Sequence, residues 1–144
     1  MTKPWVQFES WEYEEEIRHF EISASNGSYA ASQDFYESLT SIEEFGRALK
    51  AFPRSAKDEV RLEIGSRGQK SAYWLLLRAY LYDATGHAAL LFEACNNTID
   101  PWREEARFTI RCEVASLNRL GAALVDWARN GSGCLREELS PAGM

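Results

Sequence analysis

No apolar run in this 144-residue chain reaches the roughly 18 residues that a membrane-spanning helix requires, and Met1-Thr2-Lys3-Pro4 opens no signal-peptide pattern. Neither a membrane nor an export route is therefore expected. Histidine is scarce: the chain has only two, His19 and His87, and nothing beside either in sequence makes a metal site. Cysteine is almost as scarce, and the spacing of Cys95, Cys112 and Cys134 fits neither a metal knuckle nor a close disulfide pair. An odd thiol count without an export signal fits reduced cysteines in the cytoplasm. Cys95 and Cys112 fall in apolar strand-like runs and read as small buried hydrophobes.

Catalytic signatures are missing as well. The chain holds no His-Glu-x-x-His, no Cys-x-x-Cys, no phosphate loop and no Gly-x-Ser-x-Gly. Zinc hydrolase, kinase-like NTPase and esterase chemistry thus have no local support. Asp83 and His87 are close enough along a turn to form an acid/base pair. A turn-starting Asp and a strand-opening His explain the same residues without catalysis. The expectation is a non-enzymatic protein with no cofactor and no metal.

Positive charge is short too. The net charge is -6, which argues against a general nucleic-acid binder because phosphates would be repelled overall. The deficit is uneven. Residues 1-60 carry twelve acidic side chains against six basic ones, whereas residues 61-144 carry ten of each. The acids are densest at Glu9, Glu12, Glu14, Glu15 and Glu16, interleaved with Trp11 and Tyr13. A solvated charged edge accounts for this; so does an acidic, aromatic patch that meets a basic partner.

What the chain has in plenty is aromatic and apolar side chains, 12% and 45% of its residues, enough to build one core without staples. Residues 15-25 alternate, with Phe20, Ile22 and Ala24 on one side, and Asn26-Gly27 predicts a tight turn into a second strand over 28-36. Thr40 or Ser41, with Glu43 or Glu44 following, predicts a capped helix with Ile42, Phe45, Leu49 and Phe52 on its stripe and Pro53 as its stop. Strands follow over 59-64, 71-82, 87-95 and 107-114, and a last helix over about 116-129. The two helices resemble each other: Ser41, Ile42, Phe45, Gly46, Ala48, Leu49 and Phe52 match Ser116, Leu117, Leu120, Gly121, Ala123, Leu124 and Trp127 at a constant offset of 75 residues. A helical Gly costs about 1 kcal/mol against Ala, so paired glycines predict a close crossing near Gly46 and Gly121.

These elements predict an α+β fold in ββα-ββββα order, with about six mostly antiparallel strands in one sheet and both helices on one face. Residues 1-130 form the domain and 131-144 a flexible tail. Parity places Arg61, Glu63, Trp74, Leu76, Arg78, Tyr80, Tyr82, Arg107 and Arg111 on the other face. That face is either open to a partner or covered by loops or by the N-terminal segment around Trp5, Phe8 and Trp11.

The element order, with a Ser-capped helix, an apolar strand ending in Tyr82-Asp83-x-x-Gly86-His87, Trp102 and a closing helix, resembles a broad group of bacterial proteins. That group is similar to small immunity proteins of toxin systems, including the WapI-type. The resemblance spans roughly residues 17-128, and its one local motif is Asp-x-x-Gly-His. It implies a cytoplasmic, acidic, non-enzymatic protein that neutralises a toxin by binding it, and it transfers no residue roles. The leading expectation is thus a protein-binding domain that occludes a basic toxin domain, with no nucleic-acid partner. Its two rival docking surfaces are Trp74, Arg78, Tyr80 and Tyr82, and Trp11, Tyr13, Glu14, Glu15 and Glu16. Left open beside it are a small-molecule binder or enzyme with a pocket at the His87 turn, and a homodimer using the open face.

Overall fold

Alternation decides where the strands lie. In β1, Trp5–Glu12, the buried Val6, Phe8 and Ser10 are interleaved with the partly exposed Trp5, Gln7 and Glu9. β2, Ile17–Ser25, and β3, Ala30–Ser38, repeat the pattern and bury Phe20, Ile22, Ala24 and Phe35. After helix α1, Leu39–Lys50, come β4, Glu59–Gly65; β5, Trp74–Leu81; β6, Ala88–Cys95; and β7, Glu105–Cys112. Helix α2, Val114–Asn130, and β8, Gly133–Glu138, complete the chain. The computed structural model describes residues 3–12, 17–68, 70–130 and 133–141.

The strands form two antiparallel sheets of four rather than one sheet of six: sheet A in the order β3-β2-β1-β8 and sheet B in the order β4-β5-β6-β7. The α+β class is as expected; the strand count and the single sheet are corrected. Two strands account for the difference. β1 lies in the stretch read as an acidic, aromatic patch, and it pairs with β2 and β8 at the centre of sheet A. β8 lies within residues 131-144, read as a tail, and its ladder runs from Trp5↔Glu138 to Ser10↔Gly133.

Helix α1 begins two or three residues earlier than expected, because the Ser38 hydroxyl, not that of Thr40 or Ser41, caps it by accepting the Ser41 amide at 3.4 Å. Its far end is closed from outside. The Asn118 side-chain amide donates to the carbonyls of Leu49 at 2.9 Å and Phe52 at 2.7 Å, at an end where carbonyls lack their usual intrahelical partners; the Leu49 carbonyl also accepts the Phe52 amide. The glycine crossing is found where the repeat placed it. A methyl added at Gly121 would lie 2.5 Å from the Gly46 carbonyl oxygen, and one at Gly46 would lie 3.0 Å from the Gly121 carbonyl oxygen. Both helices and the inner faces of both sheets share one core, in which Trp127 of α2 meets Phe8 and Phe20 of sheet A.

The resemblance between the helices extends to the whole chain. β1-β2-β3-α1-β4 and β5-β6-β7-α2-β8 have the same order, and each unit lends its last strand to the other unit's sheet. Register confirms the correspondence: the row Trp5–Ser25–Ala30 falls where Trp74–Cys95–Glu105 falls, and Trp11–His19–Tyr36 where Tyr80–Ala89–Arg111 falls. The fold is a two-fold pseudo-symmetric pair, with Gly46 and Gly121 packed against each other between its halves.

Candidate functional site

Each sheet turns one face away from the core, and the two outer faces differ in charge. On sheet B the rows read Glu59–Tyr80–Ala89–Arg111, Arg61–Arg78–Leu91–Thr109, Glu63–Leu76–Glu93–Arg107 and Gly65–Trp74–Cys95–Glu105. The flanking loops bring Arg67 and Arg103 onto the same surface, where both contact Glu105. Six arginines against four glutamates leave this surface at +2 within a chain of -6.

Beneath the charges lies a second, smaller apolar cluster of Trp74, Leu76, Leu91 and Cys95, with Tyr80 packed against it. The long side chains above bury it by lying across it. Arg67 lies over the Trp74 ring at 5.4 Å and Arg78 over the Tyr80 ring at 4.3 Å. The Trp74 indole N–H donates to Glu63 at 2.7 Å. Trp74 is 7% exposed, so it is the floor of this face and not a free anchor on it. It also floors a cleft of about 330 Å³ whose rim carries Arg67, Arg107, Glu93 and Glu105.

Most of the arginines are paired. Arg78 reaches Glu59 at 2.8 Å and holds that carboxyl below its usual range, with Arg61 adding a smaller pull against the opposing effect of desolvation. Arg103 and Arg67 lower Glu105 in the same way. Arg107 and Arg67 flank Glu93 at 3.4 and 3.9 Å. Exposed pairs of this kind contribute only about 0–1 kcal/mol each, so a phosphate can displace a glutamate from its arginine. Arg111 is exposed and makes no ion pair among the described residues.

The outer face of sheet A carries the opposite sign. Glu9, Glu21 and Asp34 stand side by side across three strands, at positions where sheet B has Arg78, Leu91 and Thr109. The next row is aromatic: His19 lies between Trp11 at 5.0 Å and Tyr36 at 4.9 Å, and its Nε2 approaches Asp34 at 3.2 Å.

Of the expected docking residues, Trp74, Arg78, Tyr80 and Tyr82 do share one surface, with Tyr82 41% exposed at its edge. Trp11 is exposed on the other sheet, and Tyr13, Glu14, Glu15 and Glu16 lie outside the described residues. The N-terminal segment does not cover the open face; it is the centre of sheet A. Arg67 and Arg103 were missed because a loop side chain has no parity to place it. Asp83 and His87 do pair, with His87 Nδ1 2.5 Å from Asp83 Oδ2, and His87 borders neither the cleft over Trp74 nor the one between α1 and β4. Among the described residues no group of three or more His, Cys, Asp or Glu is placed to hold a metal, and no helix is long and apolar enough to cross a membrane.

No family model matches this sequence, and no curated protein does. Solved structures do share the fold. The plant transcriptional regulator PBF-2 is 13% identical, with a TM-score of 0.51 over 89% of this chain and 76% of its own. WHY1 from Arabidopsis thaliana is 11% identical, with a TM-score of 0.52 over 89% of this chain and 84% of its own. WHY3 from the same plant is 10% identical, with a TM-score of 0.51 over 89% and 82%. Identity this low shows likeness of fold alone.

These neighbours overturn the expectation of a toxin-immunity protein acting on a protein partner, and with it the exclusion of nucleic acid. The physical error in that exclusion lay in the use of net charge. An average of -6 hides a segregation in which one outer face gathers arginines and the other gathers carboxylates.

Proposed function

We propose that this chain binds single-stranded nucleic acid on the outer face of β4–β7. The observation that carries the reading is the collection of six arginines over an aromatic floor on one face of an acidic chain. Arginine supplies phosphate contacts, and the partly exposed Tyr80 and exposed Tyr82 rings supply surfaces for bases, with Trp74 buried beneath them. The face is an antiparallel sheet from which no helix projects. A four-stranded sheet is broader than the helix or two-stranded ribbon that a duplex major groove admits, and it matches the open platforms on which splayed bases lie. The fold likeness to a plant transcriptional regulator supports the same class.

Four glutamates compete for the arginines, so affinity is modest, with a Kd of about 10 µM near physiological salt. If about four phosphates are contacted, raising salt from about 50 to about 200 mM weakens binding roughly fifty-fold. Fluorescence anisotropy with a labelled single strand measures both values. Arg111→Glu, at an exposed position without an ion pair among the described residues, is expected to weaken binding several-fold, flatten the salt dependence and leave the melting temperature unchanged. Absence of binding at low salt, or an Arg111→Glu variant with wild-type affinity and salt slope, would refute the assignment.

A further inference from the structure

The Asp83–His87 turn has no part in the arginine face described so far, yet it is built with unusual care for an exposed hairpin end. Asp83 Oδ1 accepts three hydrogen bonds: from the Thr85 amide at 2.9 Å, the Thr85 hydroxyl at 2.8 Å and the His87 amide at 3.1 Å. Gly86, at φ +88°, supplies the left-handed residue that the turn requires. Those contacts are enough to close the hairpin. The fourth, Asp83 Oδ2 to His87 Nδ1 at 2.5 Å, shapes no backbone; it orients the imidazole. With Nδ1 engaged by Asp83, Nε2 is the ring's outward atom.

The oriented ring has an aromatic neighbour. Tyr82 and His87 face each other across the hairpin, the Tyr82 amide donating to the His87 carbonyl at 2.9 Å, and their rings lie 5.9 Å apart at an interplanar angle of 26°. The Tyr82 residue is 41% exposed and the His87 side chain 42%. By strand parity both project on the same side as Tyr80, Ala89 and Arg111, one row beyond them. The sheet B face thus ends in two solvent-accessible rings, His87 held in orientation by Asp83, one row beyond Arg111, which makes no ion pair among the described residues. Holding an exposed side chain in one orientation costs conformational entropy, and hairpin closure alone does not require it.

Acid/base chemistry is the other reading of an Asp-His pair, and the hydrogen bonds argue against it. The Thr85 hydroxyl, the adjacent candidate nucleophile, donates to Asp83 and approaches His87 at Nδ1, the nitrogen already turned to the carboxylate. It is therefore part of the buttress and is not activated by the ring.

We infer that Tyr82 and His87 form a stacking platform for a nucleobase of the bound strand, with Asp83 as the residue that positions His87 and Arg111 on the adjoining phosphate. The inference rests on the nucleic-acid reading above and adds the atoms that meet a base. Recognition there is by ring face, so it tolerates any base and discriminates against a strand that lacks bases.

The test compares two labelled probes of about 16 nucleotides, an oligothymidylate and an abasic strand with the same number of phosphates. The wild-type chain is expected to bind the first more tightly by about tenfold, the equivalent of one stacked base. Tyr82→Ala and His87→Ala are each expected to remove most of that preference and to leave abasic binding unchanged. His87→Phe, which keeps a ring but loses the Asp83 bond, is expected to restore the preference in part. Both positions are at the surface, and unchanged melting curves confirm folding. Variants that keep the wild-type preference, or that lose both probes equally, overturn the platform while the arginine face stands. A wild-type chain that binds neither probe overturns both.

Discussion

Trp74 shows how far a residue's role depends on what lies over it. Parity places it on the outward side of β5, where an exposed Trp reads as an anchor for a partner. Arg67, Glu63 and the neighbouring Leu76 and Leu91 bury it nonetheless. Its removal takes the largest side chain from the outer cluster and leaves Glu63 without the indole donor. Trp74→Ala is therefore expected to destabilise the fold by about 3 kcal/mol, the low end for loss of a buried Trp, as a lowered midpoint in chemical denaturation. A variant that kept full stability would mean that the ring is exposed in solution. The lesson for sequence reading is physical. The side a strand residue faces follows from alternation, but its burial depends on long side chains of adjoining strands and loops, whose positions the sequence does not encode locally. Tyr82 is the converse case: it was read as part of the open face, and it is open.

At the scale of elements, legibility followed the strength of each element's own pattern. β4 and β7 alternate cleanly and β6 is apolar but for Glu93, and the sequence pattern places all three within a residue or two. β1 was missed because its outward positions carry Trp5 and Trp11, which hide the period of two, while one inward position is the small polar Ser10. β8 has one apolar residue, Leu135, with polar neighbours, and it is a strand because β1 offers an edge. No local signal marks an element whose formation depends on a partner more than one hundred residues away. The helix crossing was legible, since two glycines at matched places in amphipathic helices have few other uses. It also makes an asymmetric prediction. A Cβ at Gly121 would meet the Gly46 carbonyl and the Lys50 amide nitrogen, each at 2.5 Å, and Leu49 Cβ at 2.8 Å, whereas one at Gly46 meets nothing nearer than 3.0 Å. Backbone atoms of a packed helix cannot yield. Gly121→Ala is expected to cost about 3 kcal/mol despite its better helix propensity, and Gly46→Ala about 1 kcal/mol. Thermal melts of the two variants measure the difference, and equal midpoints would show that the helices can separate.

The whole molecule is two similar halves whose outer faces have taken opposite signs. Neither composition nor local pattern showed this, because the segregation exists only once register aligns Glu9, Glu21 and Asp34 across sheet A and their counterparts Arg78, Leu91 and Thr109 across sheet B. Three carboxylates on adjacent strands repel, and directly opposed like charges destabilise a sheet by some tenths of a kcal/mol per pair. Asp34 finds partial relief in His19; Glu9 and Glu21 have no basic partner within 4 Å among the described residues. That cost is borne on a face that repels phosphate, and on the proposed function it would confine a nucleic-acid strand to the opposite sheet. Glu21 stands between the other two acids, so Glu21→Lys replaces two repulsions with two attractions. The variant is expected to gain about 0.5 kcal/mol, a rise in melting temperature of about 2 °C for a chain of this size. On the proposed function it is also expected to let a second strand bind in a titration, since the aromatic row Trp11–His19–Tyr36 then borders a cation. A lower melting temperature would show that the acidic row is not strained, and that the asymmetry between the two faces imposes no stability cost.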